Sequence, residues 1–181
     1  MPVDMKVVIG EAFKKMVQKG NVDKITVKSL IEVCHISRQT FYYHFQDIMD
    51  VMEWVIRQET QRLIEQSLKM DDLQSALKIF ISFTVEQFSI LQKLMNSQRR
   101  PQFEKFLVDS METYLMGLSP FQEQKLSVDI TDWQVLLRYN ACGLVGILLT
   151  YGGKSDLDQD QLAAQLERIL SGEVQSWVVP S

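Results

Sequence analysis

The chain is short of the two residues that break helices, with 4 prolines and 8 glycines among 181 residues. That scarcity argues against a turn-rich all-β fold and favours long helices. Only two cysteines occur, Cys34 and Cys142, far apart in different helical patterns. A structural disulfide is therefore not expected, and a reducing cytoplasm fits best. No long hydrophobic run is present either. The most apolar window, Ala141–Leu149, falls well short of the ~18 residues a membrane span requires, so no membrane partner is expected. Nor does a basic-then-apolar signal pattern follow Met1, and the expected location is cytoplasmic.

What the chain does hold is the composition of a protein that buries a real core: 46% hydrophobic and 23% charged residues. The net charge of −4 is unevenly spread. Residues 1–55 carry seven basic and seven acidic side chains, and residues 56–181 carry twelve and sixteen. Any contact with a polyanion belongs to the neutral first third, and its electrostatics are modest.

Hydrophobic spacing predicts an all-α fold. Met5, Val8, Ile9, Ala12, Phe13 and Met16 recur at helical steps until Gly20-Asn21 stops them. Thr26 is placed to cap a short helix whose apolar stripe is Val27, Leu30, Ile31 and Cys34. Ser37 caps a second short helix only three residues later, and Asp47 caps a third. The Cys34-His35-Ile36 junction is too tight for antiparallel packing and suits a helix-turn-helix. Beyond it, one run opens at Asp71 or Asp72 and continues through Leu73, Leu77, Phe80, Thr84, Phe88 and Leu91. Another starts at Arg100-Pro101 and breaks at Ser119-Pro120. A long, nearly all-round apolar helix covers Asp129 to about Tyr151, ended by Gly152-Gly153. The last starts at Asp156 or Asp158 and stops before Ser171-Gly172. About nine helices result, and the conformation of the 173–181 tail is left open.

The stretch Ile36-Ser-Arg-Gln-Thr-Phe-Tyr-Tyr-His-Phe45 asks for its own explanation. In a helix starting at Ser37, Phe41 and Phe45 share one face and can anchor it to a core. Arg38, Gln39 and Thr40 fall in the first turn, whose free N–H groups favour a phosphate. Arg and Gln can each bond two atoms of a purine edge in the major groove. Tyr42, Tyr43 and His44 point partly away from the anchoring face, where they can reach phosphate oxygens. The Val27 amide, just past the Thr26 cap, and the Lys28 side chain could clamp a neighbouring phosphate. The bland reading is a solvated short helix in an ordinary bundle, but the tight turn and the order of the rings favour double-stranded DNA.

With those residues in view, Ile25–Phe45 resembles the DNA-binding segment of TetR/AcrR-family transcriptional regulators. Capping Thr, short helix, turn and an aromatic-rich recognition helix ending in His-Phe agree in register over roughly residues 4–56. Arg138-Tyr-Asn-Ala-Cys-Gly-Leu-Val-Gly-Ile147 is similar to the matching helix in the subgroup related to dihydroxyacetone-kinase operon regulators. The resemblance implies a DNA-binding domain at residues 1–47 and a ligand-binding and dimerisation domain at residues 48–181. It implies a homodimer that binds a DNA operator and a small-molecule effector, most commonly as a repressor released by ligand. Two departures stand out. His35 occupies a position where the family usually has Gly in a left-handed conformation, and Ile48 replaces a phosphate-touching Lys. Non-specific DNA binding weaker than a typical member's is therefore expected.

Trp54, Phe80, Phe83, Phe88, Phe106, Tyr114, Trp133 and Tyr139 suit either plain core or the lining of an effector pocket. Asn140 and Arg138, polar within an apolar helix, could orient a ligand or simply face solvent. Ala141, Gly143 and Gly146, together with Leu162, Leu166 and Ile169, resemble the family's four-helix dimer interface; close packing inside one subunit is the alternative. Cys34, His35 and His44 lack the paired spacing of a metal site, so no metal or other cofactor is expected. No Gly-rich phosphate loop or recognisable Ser/His/Asp set points to an enzyme. The rival to a DNA-binding regulator is a protein-binding co-regulator or activator on the same fold, kept open by the neutral first domain, His35 and Ile48.

Overall fold

A computed structural model of the chain describes residues 4–121 and 129–173; residues 174–181 of the tail lie outside them. The described residues form nine α-helices and no strand. In order they are α1 (Met5–Lys19), α2 (Val27–Cys34), α3 (Arg38–His44), α4 (Ile48–Ser67), α5 (Leu73–Glu86), α6 (Phe88–Met95), α7 (Arg100–Gly117), α8 (Ile130–Tyr151) and α9 (Gln159–Leu170). Short 3-10 turns occupy Val22–Lys24 and Ser119–Phe121.

Local chemistry fixes most of these starts, because the first amides of a helix have no intrahelical acceptor. Asp47 accepts from the amides of Met49 (2.7 Å) and Asp50 (3.0 Å), while the Asp50 carboxylate takes the Gln46 amide (2.9 Å). Asp72 accepts from Ser75 N, Asp129 from Thr131 N and Asp158 from Gln161 N. Caps of this kind contribute about 1 kcal/mol each. The bond from the Ser75 backbone holds the Asp72 carboxyl below its ordinary range, and the Thr131 hydroxyl and amide do the same for Asp129.

One expected helix is two. The run through Phe88 and Leu91 is interrupted at Gln87, whose φ of −93° and ψ of 4° leave the helical region. The Thr84 hydroxyl donates back to the Phe80 carbonyl at 2.9 Å, a contact that bends helices near it.

The chain divides into two compact units. The first comprises residues 1–59 and 87–110 and the second residues 60–86 and 111–181, so the first takes in more than the 1–47 stretch. In the first unit, α1 packs on α2 and α6, and α2 on α3. Their shared core includes Ile9, Phe13, Leu30, Phe41, Phe45, Val51, Met52 and Phe103. Burying one such ring or aliphatic side chain stabilises by roughly 1.5–3 kcal/mol. In the second unit α5 packs along α9, joined by Ser82 to Gln159 (2.7 Å) and Lys78 to Asp160 (2.5 Å). Its buried side chains include Leu77, Ile81, Leu144, Leu148 and Leu166. Tyr114 is buried there too, stacked on Phe80 at 4.8 Å, with its hydroxyl bonded to Ser67 Oγ and the Ala76 carbonyl. Among the described residues no helix is long and apolar enough to cross a membrane.

Candidate nucleic-acid interface

The candidate face is built on α2, the turn after it and α3. At the start of α2 the Thr26 side chain accepts the Ser29 amide (3.1 Å), and the Ser29 hydroxyl oxygen accepts the Thr26 amide (2.9 Å). This reciprocal box fixes where the Val27 and Lys28 amides point. The Val27 side chain lies half-buried against the core, so its backbone amide is the polar group it offers outward. The Lys28 side chain is 87% exposed, 4.0 Å from Glu32.

The turn after α2 is a Schellman motif. His35 N–H donates to the Glu32 carbonyl at 3.3 Å and Ile36 N–H reaches the Ile31 carbonyl at 3.2 Å. His35 takes the left-handed conformation the resemblance implies, with φ 52° and ψ 42°. Among the described residues no other non-glycine has positive φ. The motif turns the backbone sharply enough for Ser37 to cap α3 through the Thr40 amide at 3.0 Å.

On α3 the two faces separate as the spacing predicts. Phe41 is completely buried and Phe45 nearly so, Phe45 meeting Trp54 edge-on at 5.9 Å. Arg38 and Gln39 stand exposed in the first turn. Ser37 and Thr40 spend their hydroxyls on each other at 2.8 Å, so both act first as structure. The Arg38 guanidinium lies over the Tyr42 ring, 5.8 Å from its centroid. Tyr43 is the most exposed large apolar side chain of the face, at 84%, and packs edge-on against the half-buried His44. Exposed and polar in front, aromatic and buried behind, α3 can present an Arg–Gln pair to base edges.

Other sequence-predicted positions fall elsewhere. Ile48 is buried in the core of the first unit, so position 48 points away from any phosphate. Cys34 packs partly against the same core, and burial pushes its thiol up. Among the described residues no group of three or more His, Cys, Asp or Glu side chains could hold a metal ion. Of the aromatics weighed for an effector pocket, Trp54, Phe88 and Phe106 belong to the first unit. Phe80, Phe83, Tyr114, Trp133, Tyr139 and Asn140 belong to the second. Trp133 and Tyr139 lie exposed on α8. Ala141, Leu162 and Leu166 are covered within the chain, so contact with another copy would fall to Gly143, Gly146 and Ile169. Glycine positions 143 and 146 have open space where a Cβ would stand.

Two residues carry a contact that sequence reasoning did not single out. Arg99 donates to the carbonyls of Val22 (3.1 Å) and Ile25 (2.8 Å), and Lys93 to those of Val17 and Gln18. They lie more than 70 residues from their partners in sequence, and no local periodicity marks such a pair.

Comparison with solved structures decides the fold. The dihydroxyacetone kinase operon activator DhaS superposes over 93% of this chain and 95% of its own, with TM-score 0.66 and 23% identity. The chain has the TetR/AcrR fold. FadR, the fatty acid degradation regulator from Bacillus halodurans, matches over 95% of this chain and 100% of its own, with TM-score 0.55 and 15% identity. The TetR family repressor AlkX from Dietzia sp. strain DQ12-45-1b covers 94% and 95%, with TM-score 0.53 and 14% identity. In sequence, the HTH-type dhaKLM operon transcriptional activator DhaS of Lactococcus lactis subsp. lactis (strain IL1403) is 26% identical over 142 residues, 77% of this chain and 75% of that protein. No protein-family model matches the sequence. The TetR-type resemblance read from residues 25–45 thus extends through the fold, and the likeness to DhaS supports the subgroup resemblance read from residues 138–147.

Proposed function

We propose that the chain is a sequence-specific, DNA-binding transcriptional regulator of the TetR type and not an enzyme. The observation that carries this reading is the first turn of α3. Arg38 and Gln39 are exposed there while Phe41 and Phe45 behind them are buried. Thr26, Val27 and Lys28 on α2, with Tyr42, Tyr43 and His44 on α3, are assigned to phosphates; Ser37 and Thr40 shape the turn.

In this reading residues 1–47 read the operator and residues 48–181 take a small-molecule effector and form a homodimer in the cytoplasm. Ile130, Trp133, Val135, Leu136 and Tyr139 leave α8 with an extended exposed apolar face, which supports dimerisation. Two recognition helices set about 34–36 Å apart would enter successive major grooves of a palindromic site. An effector that favours a different spacing lowers operator affinity by shifting the population, and repression relieved by ligand follows.

A second reading, activation or co-regulation through a protein partner, is favoured by the likeness to DhaS, an operon activator. A gel shift of the purified protein on the DNA upstream of its own gene separates the two. A shift by the protein alone supports direct recognition; a shift only with a second protein present supports co-regulation. A reporter fused to that DNA then gives the sign of regulation.

A further inference from the structure

The connection from α1 to α2 is held from outside by α6 and the α6–α7 turn. Gly20 N–H donates to the Met16 carbonyl, and the next two carbonyls of α1, Val17 and Gln18, accept from the Lys93 ammonium. These oxygens lie at the negative end of α1, where a cation is favoured. Arg99 then bridges the 3-10 turn with one guanidinium nitrogen on Val22 O and another on Ile25 O, the residue just before the Thr26 cap. The Asp23 carboxylate accepts the Gln98 amide at 3.0 Å. The clamp itself is braced, because Ser97 Oγ donates to the Leu94 carbonyl and accepts the Arg99 amide. The carbonyls that accept from Lys93 and Arg99 run from the end of α1 to the residue just before the Thr26 cap.

We propose that Arg99, supported by Lys93 and Asp23, is a positioning residue for DNA recognition, fixing the direction in which α2 and α3 present their outward side chains; this rests on the regulator reading above. Arg99 is directed at backbone carbonyls and leaves the phosphates to other side chains. Its loss lowers affinity by letting the 22–25 turn sample other conformations. The number of counterions released stays the same.

The test uses the full chain and a duplex that the wild-type protein selects from a random library, with affinity read by fluorescence anisotropy across a salt series. Arg99→Met should weaken binding about tenfold, the scale of one lost charge-assisted hydrogen bond, with an unchanged salt slope. Arg100→Met removes the same charge one residue later, where the side chain meets Glu104 at 2.8 Å, and should bind within about twofold of wild type. Arg99→Lys, which keeps a donor, should recover part of the loss and serves in place of Arg99→Met if that variant does not fold. Wild-type affinity in Arg99→Met, or a salt slope reduced by about one unit, overturns the clamp. If Arg38→Ala weakens binding in the same experiment, the DNA reading survives that failure. Should wild type select no duplex, the regulator reading itself fails, and the clamp with it.

Discussion

Replacing His35 by glycine isolates the conformational demand of the helix-turn-helix corner. His35 holds φ 52° and ψ 42°, and its side chain is exposed, so little packing is lost with it. A non-glycine residue in this region costs roughly 1–2 kcal/mol through the approach of Cβ to the backbone. Glycine adopts it freely but has a larger unfolded-state entropy, which returns part of the gain. His35→Gly should therefore stabilise the first unit by about 0.5–1 kcal/mol. Trp54, packed against Phe45 in that unit, gives a local signal once Trp133 and Trp177 are changed to Phe. In that background the urea midpoint of Trp54 fluorescence should rise with an unchanged slope. His35→Ala is the control, because it removes the imidazole but keeps the Cβ, and should leave the midpoint unchanged or lower it. A neutral or destabilising His35→Gly, or a His35→Ala equally stabilising, would show that strain at this corner is not what limits stability.

Burial raises the Tyr114 hydroxyl from its ordinary value of 10 to about 12, with the Ser67 hydrogen bond pulling partly the other way. The native state then keeps a proton that the unfolded chain releases above pH 10. This contribution is complete below pH 10 and lost between pH 10 and 12, amounting to about 2–3 kcal/mol. Tyr114→Phe should be less stable by roughly 1–2 kcal/mol at neutral pH but show a flatter decline in that window, and an equally steep decline would contradict the assignment. Gly10→Ala should lower the denaturation midpoint by about 1–3 kcal/mol equivalent, because a Cβ there would stand 2.6 Å from the Trp54 ring and 3.2 Å from Val55. A raised midpoint would mean the ring yields freely. With position 48 turned inward, the log K against log salt slope on non-specific duplex should be shallower than about −9, the value for ten phosphate contacts. A slope at or beyond it would contradict the modest electrostatics of the first third.

Helix starts were legible because capping is a local transaction: Thr26, Ser37, Asp47, Asp129 and Asp158 each meet amides two or three residues on. The inward face of α3 was legible for a similar reason, with Phe41 and Phe45 one turn apart. The break at Gln87 was not, since the apolar period runs through it and Thr84 makes its bend by a back-bond that leaves no trace in the pattern. On α8, apolar residues on all sides gave no period to say which side turns inward. Ala141, Leu144 and Leu148 are the buried stripe, while Gly143 and Gly146 lie open. The clamp from Lys93 and Arg99 is long-range, and its acceptors are backbone carbonyls that any sequence would supply.

The central claim is that the leading turn of α3 reads bases. The most direct measurement is selection from a random duplex library by wild type and by Arg38→Ala in parallel, followed by sequencing. Wild type should enrich a palindrome with half-sites one helical turn apart or a multiple of it, and Arg38→Ala should lose preference at one base pair in each half while keeping the rest. Enrichment by Arg38→Ala identical to wild type at every position would contradict it.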